Sequence, residues 1–373
     1  MPSLADARSD VRPAAPPSGE LLADQVGMYP RLIRLEHGEG KGRILATNIS
    51  VNARGVGIAP IFESTDEGES FQRVGTVADP EARTGMCCGT LFELPQQVGE
   101  LAPGTLLWSA SIGQDGGEQR RKRLPVWYST DVGRSWSKLS ECTRAPNTRG
   151  QWEPEFSVAA NGELACHYAD ETVSGHDQAL SMRTSPDGVN WSDKKVTMAL
   201  TPWEVRPGMP IVRRLPDGRY FKSHEVCNYP QSVCGQFFRI SDDGINWGDP
   251  AQPGDRVFGP ERKYFRHAST ITTLPGGPNG VRIASVGEIY ANLDGTPAPK
   301  NGQTLLINDN FGAGEWYEWP APVKVPNPEN EACANYSSVL LPVDNGQSIL
   351  EIAAGFDEDG TCKSYFAKAP APQ

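Results

Sequence analysis

Two glutamates occupy contexts that call for an explanation. Glu153 stands between Trp152 and Pro154 in RGQWEPEFSVAANGELACHYADE, directly ahead of a run that alternates like a β-strand. A carboxylate wedged there is either a strained corner or a group aimed at something. Glu225 ends GMPIVRRLPDGRYFKSHE, another alternating run with a turn inside it. Two carboxylates that meet can divide acid-base work, because their mutual repulsion raises one pKa and leaves one acid protonated beside one ionised. Other reactive side chains are sparse. The five histidines, His37, His167, His176, His224 and His267, do not pair with each other or with a cysteine at zinc-site spacing, so no catalytic metal and no cofactor are expected. Eight cysteines allow about 105 pairings. Cys227 and Cys234 flank a proline-containing turn in CNYPQSVC and suit a hairpin staple. Adjacent Cys87 and Cys88 read as two buried thiols, partners of distant cysteines, or a vicinal disulfide.

Whether the two acids meet depends on the fold. The chain has 373 residues, 38% of them hydrophobic, and a mean hydropathy of −0.46, which is an ordinary globular composition. No stretch approaches the roughly 18 apolar residues of a spanning helix, so no membrane is expected as a partner. With 46 acidic against 35 basic residues the net charge is −11, a field that repels phosphate backbones and argues against nucleic acid. Residues 1–25 open with MPSLADARSDVRPAAPPSG, lack the apolar core of a signal peptide, and read as a disordered or extended leader. With the cysteines they fit a secreted form whose signal has been removed, a cytoplasmic chain with free thiols being the alternative. Residues 26–373 then form a single domain, expected as a monomer.

Internal repeats define that domain. STDVGRSW (Ser129 to Trp136) and STDEGESF (Ser64 to Phe71) share the form Ser-x-Asp-x-Gly-x-Ser-aromatic, followed by SPDGVNW (Ser185 to Trp191), SDDGINW (Ser241 to Trp247) and a degenerate NDNFGAGEW. Aspartate accepts hydrogen bonds from the turn's backbone, glycine takes the positive φ, and the aromatic packs beneath a neighbouring strand. One such turn is weak evidence; four at near-even spacing are strong. Out of phase with them run six hairpins, each an alternating segment, a glycine-containing turn and a second apolar segment. Six hairpins, most followed by a strand pair carrying the Asp-box turn, predict an all-β, six-bladed β-propeller of four-stranded antiparallel sheets.

Topology then places the acids. In an up-and-down blade, residues that open the first strand and residues that close the second share a rim. Glu153 opens a first strand in the third blade and Glu225 closes a second strand in the fourth, so they should be neighbours. The same rim collects Tyr29, Arg31, Cys87, Cys88, Trp152, Arg206, Arg266, His267, Asn335 and Tyr336 from strand starts, with Asp170 and Glu288 from strand ends. Aromatics, arginines and acids at one mouth suit an oligo- or polysaccharide, with Tyr29, Arg31, Trp152, Asp170, Arg206, Arg266, His267 and Tyr336 as substrate contacts. Glu155, two residues beyond Glu153, should point the same way but deeper, in a structural role. His176 and Asp177 read as a solvated loop. Asn48, Asn190 and Asn335 lie in Asn-x-Ser sequons, although a glycan on Asn335 would obstruct the mouth.

The Asp boxes resemble those of the sialidase superfamily, from about Met28 to the end of the chain. Within that frame QWEPEF with HYADE, and VRPGMPIVRRLPDGRYFKSHE, resemble glycoside hydrolase family 93, the exo-arabinanases that trim 1,5-linked α-L-arabinan. The resemblance implies a retaining hydrolase with Glu225 as nucleophile and Glu153 as acid/base. Two rivals remain. A sialidase would use a tyrosine nucleophile and three arginines; Arg31, Tyr336, Glu225 and Arg239 could fill four roles, but PKNGQTLLINDN offers only Lys300 for the third arginine, and lysine lacks the bidentate fork. A non-catalytic carbohydrate-binding propeller has no need of two facing acids.

Overall fold

The computed structural model describes residues 7–8, 15–230, 232–329 and 331–373. Its strands form six antiparallel sheets, the blades of a propeller, and its few helical turns are short 3-10 segments. The first blade holds Met28–Arg34, Ile44–Val51, Gly57–Ser64 and Gln72–Val77, and the second Met86–Glu93, Leu106–Ile112, Arg123–Ser129 and Ser137–Arg144. The third holds Gln151–Val158, Leu164–Asp170, Ala179–Ser185 and Lys195–Met198. In the fourth, Arg206–Arg214, Tyr220–Tyr229 and Ser232–Ser241 are long and Asp255–Arg256 is a short outer strand. The fifth comprises Thr270–Pro275, Val281–Val286, Thr304–Asn308 and Tyr317–Pro320. Apolar side chains on alternate positions of each strand pack between blades, as where Leu107 and Leu124 of the second meet Phe156 and Leu164 of the third.

The ring is closed by its own ends. Val339–Val343, Ser348–Phe356 and Cys362–Pro370 make three strands of the sixth blade, and the fourth is Glu20–Leu21, from inside the segment expected to be a leader. Arg8 also bridges to Thr361. The remainder of the expected leader, residues 1–6 and 9–14, lies outside the described residues.

The Ser-x-Asp turns brace the outer halves of four blades. Asp131 accepts the Ser129 and Ser135 hydroxyls and the Ser135 N–H, while Gly133 N–H donates to Ser129 Oγ. Asp66, Asp187 and Asp243 repeat the pattern. These donors stabilise the ionised carboxylates and lower their pKa values.

The innermost strands carry a feature that positions the site. Register slips between Met28 and Arg31, Cys87 and Thr90, Trp152 and Glu155, and Gly208 and Ile211. At each slip one residue is left-handed: Tyr29 (φ 53°), Cys88 (60°), Glu153 (55°) and Met209 (53°). Ala268 (48°) and Ser337 (56°) repeat the conformation two residues before the inner strands of the fifth and sixth blades. Four blades thus enter the axis through a bulge, which bends the strand and frees backbone groups from the ladder, and all six carry a left-handed residue there. None of the six residues is glycine, so each left-handed conformation costs about 1 to 2 kcal/mol that the surrounding packing must offset.

Beyond the bulges the inner strands diverge around an axial cavity of about 420 Å³, lined from successive blades by Arg34, Glu93, Glu155, Arg213, Thr272 and Leu341. Glu155 is structural there, accepting from Thr90 Oγ1 (3.0 Å) and Arg213 (2.5 Å). This cavity lies away from Glu153 and Glu225, neither of which lines it.

Removing residues 1–22 should expose the Cys362–Pro370 edge and lose the burial of Leu22, worth about 2 kcal/mol. Thermal melts of the truncated and full chains check this; equal midpoints would show that Glu20–Leu21 does not secure the ring.

Candidate active site

Glu153 and Glu225 are held in the same way from adjacent blades. The Glu153 backbone N–H donates to Ser111 Oγ (3.2 Å), and its Oε2 accepts the N–H of Met209 (2.8 Å), the bulge residue of the next blade. Glu225 lies opposite Gly208 in the fourth blade, and its Oε2 accepts the N–H of Ala268 (2.9 Å), the left-handed residue ahead of the fifth blade's inner strand. A Cβ added to Gly208 would stand 3.3 Å from Glu225 Oε1 and 3.7 Å from Glu153 Oε2. Those two distances bound the separation of the oxygens at about 7 Å, within range of a carboxylate pair working on one bond. Glycine at 208 leaves that space open.

Burial dominates the electrostatics. Both carboxyls are nearly inaccessible, and loss of hydration raises each to about 7. Repulsion between the two negative charges adds to this, so the pair holds one proton when the other acid ionises. Glu288 joins them as a third buried acid, forced well above the carboxylate range by burial and accepting the Glu331 N–H through Oε1. His267 Nδ1 lies 3.4 Å from Glu288 Oε2 and 3.7 Å from Glu225 Oε2. Burial lowers His267 to about 4, so the imidazole is neutral at pH 7 and these contacts are not ion pairs. Among the described residues Glu153 Oε1, Glu288 Oε2 and His267 Nδ1 are buried without hydrogen-bond partners.

Several expected residues gather here. Tyr29 and Tyr336 have ring centroids 6.1 Å apart, and Tyr336 is 5.4 Å from His267. Burial, then the charge of Glu153, pushes the Tyr336 hydroxyl well above its usual range. Arg206 spans the rim, donating to Asp177 (2.5 Å), Glu171 (2.8 Å) and Gln178 (2.7 Å). Asp177, expected on a solvated loop, is therefore tied to the site.

Others are placed differently. Asp170, expected to bind substrate, spends one oxygen on the N–H and hydroxyl of Thr172 and the other on Lys194. Arg31 sits over the Tyr29 ring (4.1 Å) and donates to Pro30 O and to Ser337, toward the axial cavity. Arg266 reaches the Gly295 carbonyl (3.3 Å). Trp152 is 5% exposed and one face is covered by the Lys122 ammonium, 2.5 Å from the ring centroid, so it is unavailable as an open stacking platform. Lys122 itself, fully buried and lowered to about 8 by desolvation, escaped the sequence reading because RRKRLPVW looks like a solvated basic run. Glu171 and Gln178 carried no signal either, since their partner Arg206 lies on another blade.

Cysteine pairing is settled as Cys142–Cys166, Cys227–Cys234 and Cys333–Cys362, with Cys87 and Cys88 as buried thiols. The hairpin staple is present.

The fold has solved relatives. An α-L-arabinanase from Penicillium chrysogenum, complexed with arabinobiose, superposes with a TM-score of 0.75 at 24% identity, covering 94% of this chain and 96% of that one. The family 93 α-L-arabinofuranosidase of Fusarium graminearum, also with arabinobiose, gives 0.76 at 20% identity, covering 95% and 97%. A protein of unknown function from Dyadobacter fermentans gives 0.53 at 13% identity, covering 96% and 98%. No protein-family model matches the chain. No curated protein matches it by sequence. The propeller fold is therefore shared with an α-L-arabinanase and an α-L-arabinofuranosidase over 94% and 95% of this chain.

Two predictions follow from the geometry. Because burial raises Glu153 and Glu225 to about 7, the folded chain keeps protons that the unfolded chain releases above about 4.5, and stability falls as pH rises from 4.5 through 7. Glu153→Gln or Glu225→Gln should melt above the parent at pH 8, by on the order of 3 kcal/mol at most, and level with it near pH 4; a gap independent of pH would contradict the burial argument. Second, the Asn48 amide donates to Ser364 Oγ (3.0 Å) and that of Asn335 to the Gly287 carbonyl (2.8 Å), both buried. Peptide mapping of protein made in a glycosylating host should find both unmodified.

Proposed function

We propose that the chain is a retaining glycoside hydrolase acting from the chain end on 1,5-linked α-L-arabinan or related arabinofuranosides. The observation that carries the reading is the pair Glu153 and Glu225: two buried carboxylates from adjacent blades, each clamped by one backbone N–H, with a gap between them. Hydrolysis with retention needs one ionised acid beneath the anomeric carbon and one protonated acid beside the leaving oxygen. Mutual repulsion of the buried pair leaves one acid ionised and one protonated, and the resemblance to family 93 gives Glu225 the first role and Glu153 the second. Attack by Glu225 gives a glycosyl ester as Glu153 protonates the departing oxygen; Glu153 then deprotonates the water that cleaves the ester. Tyr29, Tyr336, His267 and Arg206 surround the reacting ring, and neutral Glu288 and His267 offer hydrogen bonds to its hydroxyls without a competing charge. The arabinobiose held by the Penicillium and Fusarium neighbours suggests the sugar. Three disulfides favour an oxidising, extracytoplasmic setting.

A sialidase reading loses ground. Arg239, needed as a second carboxylate-binding arginine, is 7% exposed and donates to the carbonyls of Thr197, Trp247 and Asp249, and Lys300 pairs with Glu318.

Glu225→Gln should abolish turnover on arabinan and on aryl arabinofuranosides alike. Glu153→Gln should lose least on activated aryl substrates, whose leaving groups need little protonation, and azide should restore part of its activity as a glycosyl azide of retained configuration. Equal losses on both substrate types without azide rescue would remove Glu153 from the acid/base role, and product analysis on arabinans, arabinogalactans and sialosides tests the sugar.

A further inference from the structure

Hydrolysis leaves one group of side chains at the site without a role. Cys227 and Cys234 face each other across the hairpin of the fourth blade and are bonded. One donor atom each from Glu225, Cys227, Cys234 and His267 lies within 4.8 Å of all the others. Cys227 Sγ stands 3.7 Å from Glu225 Oε1, and His267 Nδ1, which has no hydrogen-bond partner among the described residues, stands 3.7 Å from Glu225 Oε2. Burial keeps that imidazole neutral, the state in which it ligates metals.

We propose that reduction of Cys227–Cys234 opens a four-ligand site for a soft divalent cation such as Zn²⁺, built from both thiolates, the His267 imidazole and the Glu225 carboxylate. Two sulfurs, one nitrogen and one oxygen form a tetrahedral donor set suited to zinc rather than to calcium or magnesium. Metal-sulfur bonds of about 2.3 Å at a tetrahedral angle require sulfurs about 3.8 Å apart. A disulfide forbids that separation and leaves no thiolate, so the oxidised protein excludes the ion. A dithiol supplies the chemistry: it gives two electrons and two protons to the bond, becomes a disulfide itself, and leaves two thiols whose protons the cation displaces. Access favours this pair, since Cys227 is half-buried whereas Cys142, Cys166, Cys333 and Cys362 are all buried. With Glu225 ligated, hydrolysis stops.

The test uses the full chain, reduced mildly, desalted, and mapped by differential alkylation and mass spectrometry. Cys227 and Cys234 should label first, with the other two disulfides intact; if they open last, the proposal fails. One equivalent of Co²⁺ should then give tetrahedral ligand-field bands and a thiolate-to-cobalt charge-transfer band, displaced by Zn²⁺ and absent from oxidised protein. Reduced protein without the bands, or oxidised protein with them, overturns the site. The bands should vanish in Cys227→Ser/Cys234→Ser; if they persist, the ion sits elsewhere and the proposal fails. Should that variant misfold by circular dichroism, alkylated native protein makes the same comparison. Zn²⁺ should abolish turnover of the reduced protein, and a chelator should restore it. Cobalt bands with turnover intact would strike Glu225 from the ligand set and overturn the four-ligand site, whereas the nucleophile role is tested apart from it, by Glu225→Gln in oxidised, metal-free protein.

Discussion

The left-handed residue repeated where all six inner strands reach the axis is the constraint on which the site depends. An uninterrupted strand would spend its backbone donors on the ladder and send alternate side chains into the interfaces between blades. The left-handed turns take backbone donors out of the ladder near the axis, and two of them, on Met209 and Ala268, are the clamps on Glu153 and Glu225. Each clamp comes from the blade after the one it serves, so the geometry of the acids is a property of the ring rather than of any single sheet. The strain of six non-glycine residues at positive φ is held by the cores on either side.

The second organising factor is the cost of burying charge. Three carboxyls, an imidazole and two tyrosines crowd one space with few cations, and burial drives every acid toward its neutral form. Arg206 is already neutralised by Glu171 and Asp177, which leaves the interior short of positive charge. In such surroundings one ionised carboxylate is tolerable and a second is not. That asymmetry is what acid catalysis at neutral pH asks for.

Much of this was legible in the residues. The Ser-x-Asp turns and the six hairpins are local patterns, set by hydrogen bonds within a few positions, and they led to blade number, strand direction and the shared rim of Glu153 and Glu225. What stayed hidden depends on partners far away in the chain. Asp170 looked like a site acid until Thr172 and Lys194 took its oxygens. Arg31 looked like a sugar contact, although Ser337 holds it. The bulges could not be read because Tyr29, Cys88, Glu153 and Met209 share no side-chain character; ring closure imposes their conformation, and no local preference announces it. The sixth blade's outer strand hid for the same reason, as two residues in a proline-rich opening.

That outer strand bears on how the protein is made. Leu21 and its partner Tyr365 lie 365 − 21 = 344 positions apart, so this pairing carries a high loop-closure entropy. Five blades can assemble from neighbouring hairpins as they leave the ribosome, but the circle stays open until the last strand is released. From its release until Glu20–Leu21 docks, the free edge of Cys362–Pro370 is a template for any other extended segment, including the same two residues of another copy. Tethering the Glu20–Leu21 segment behind Cys362–Pro370 by circular permutation would turn this long-range closure into a local one.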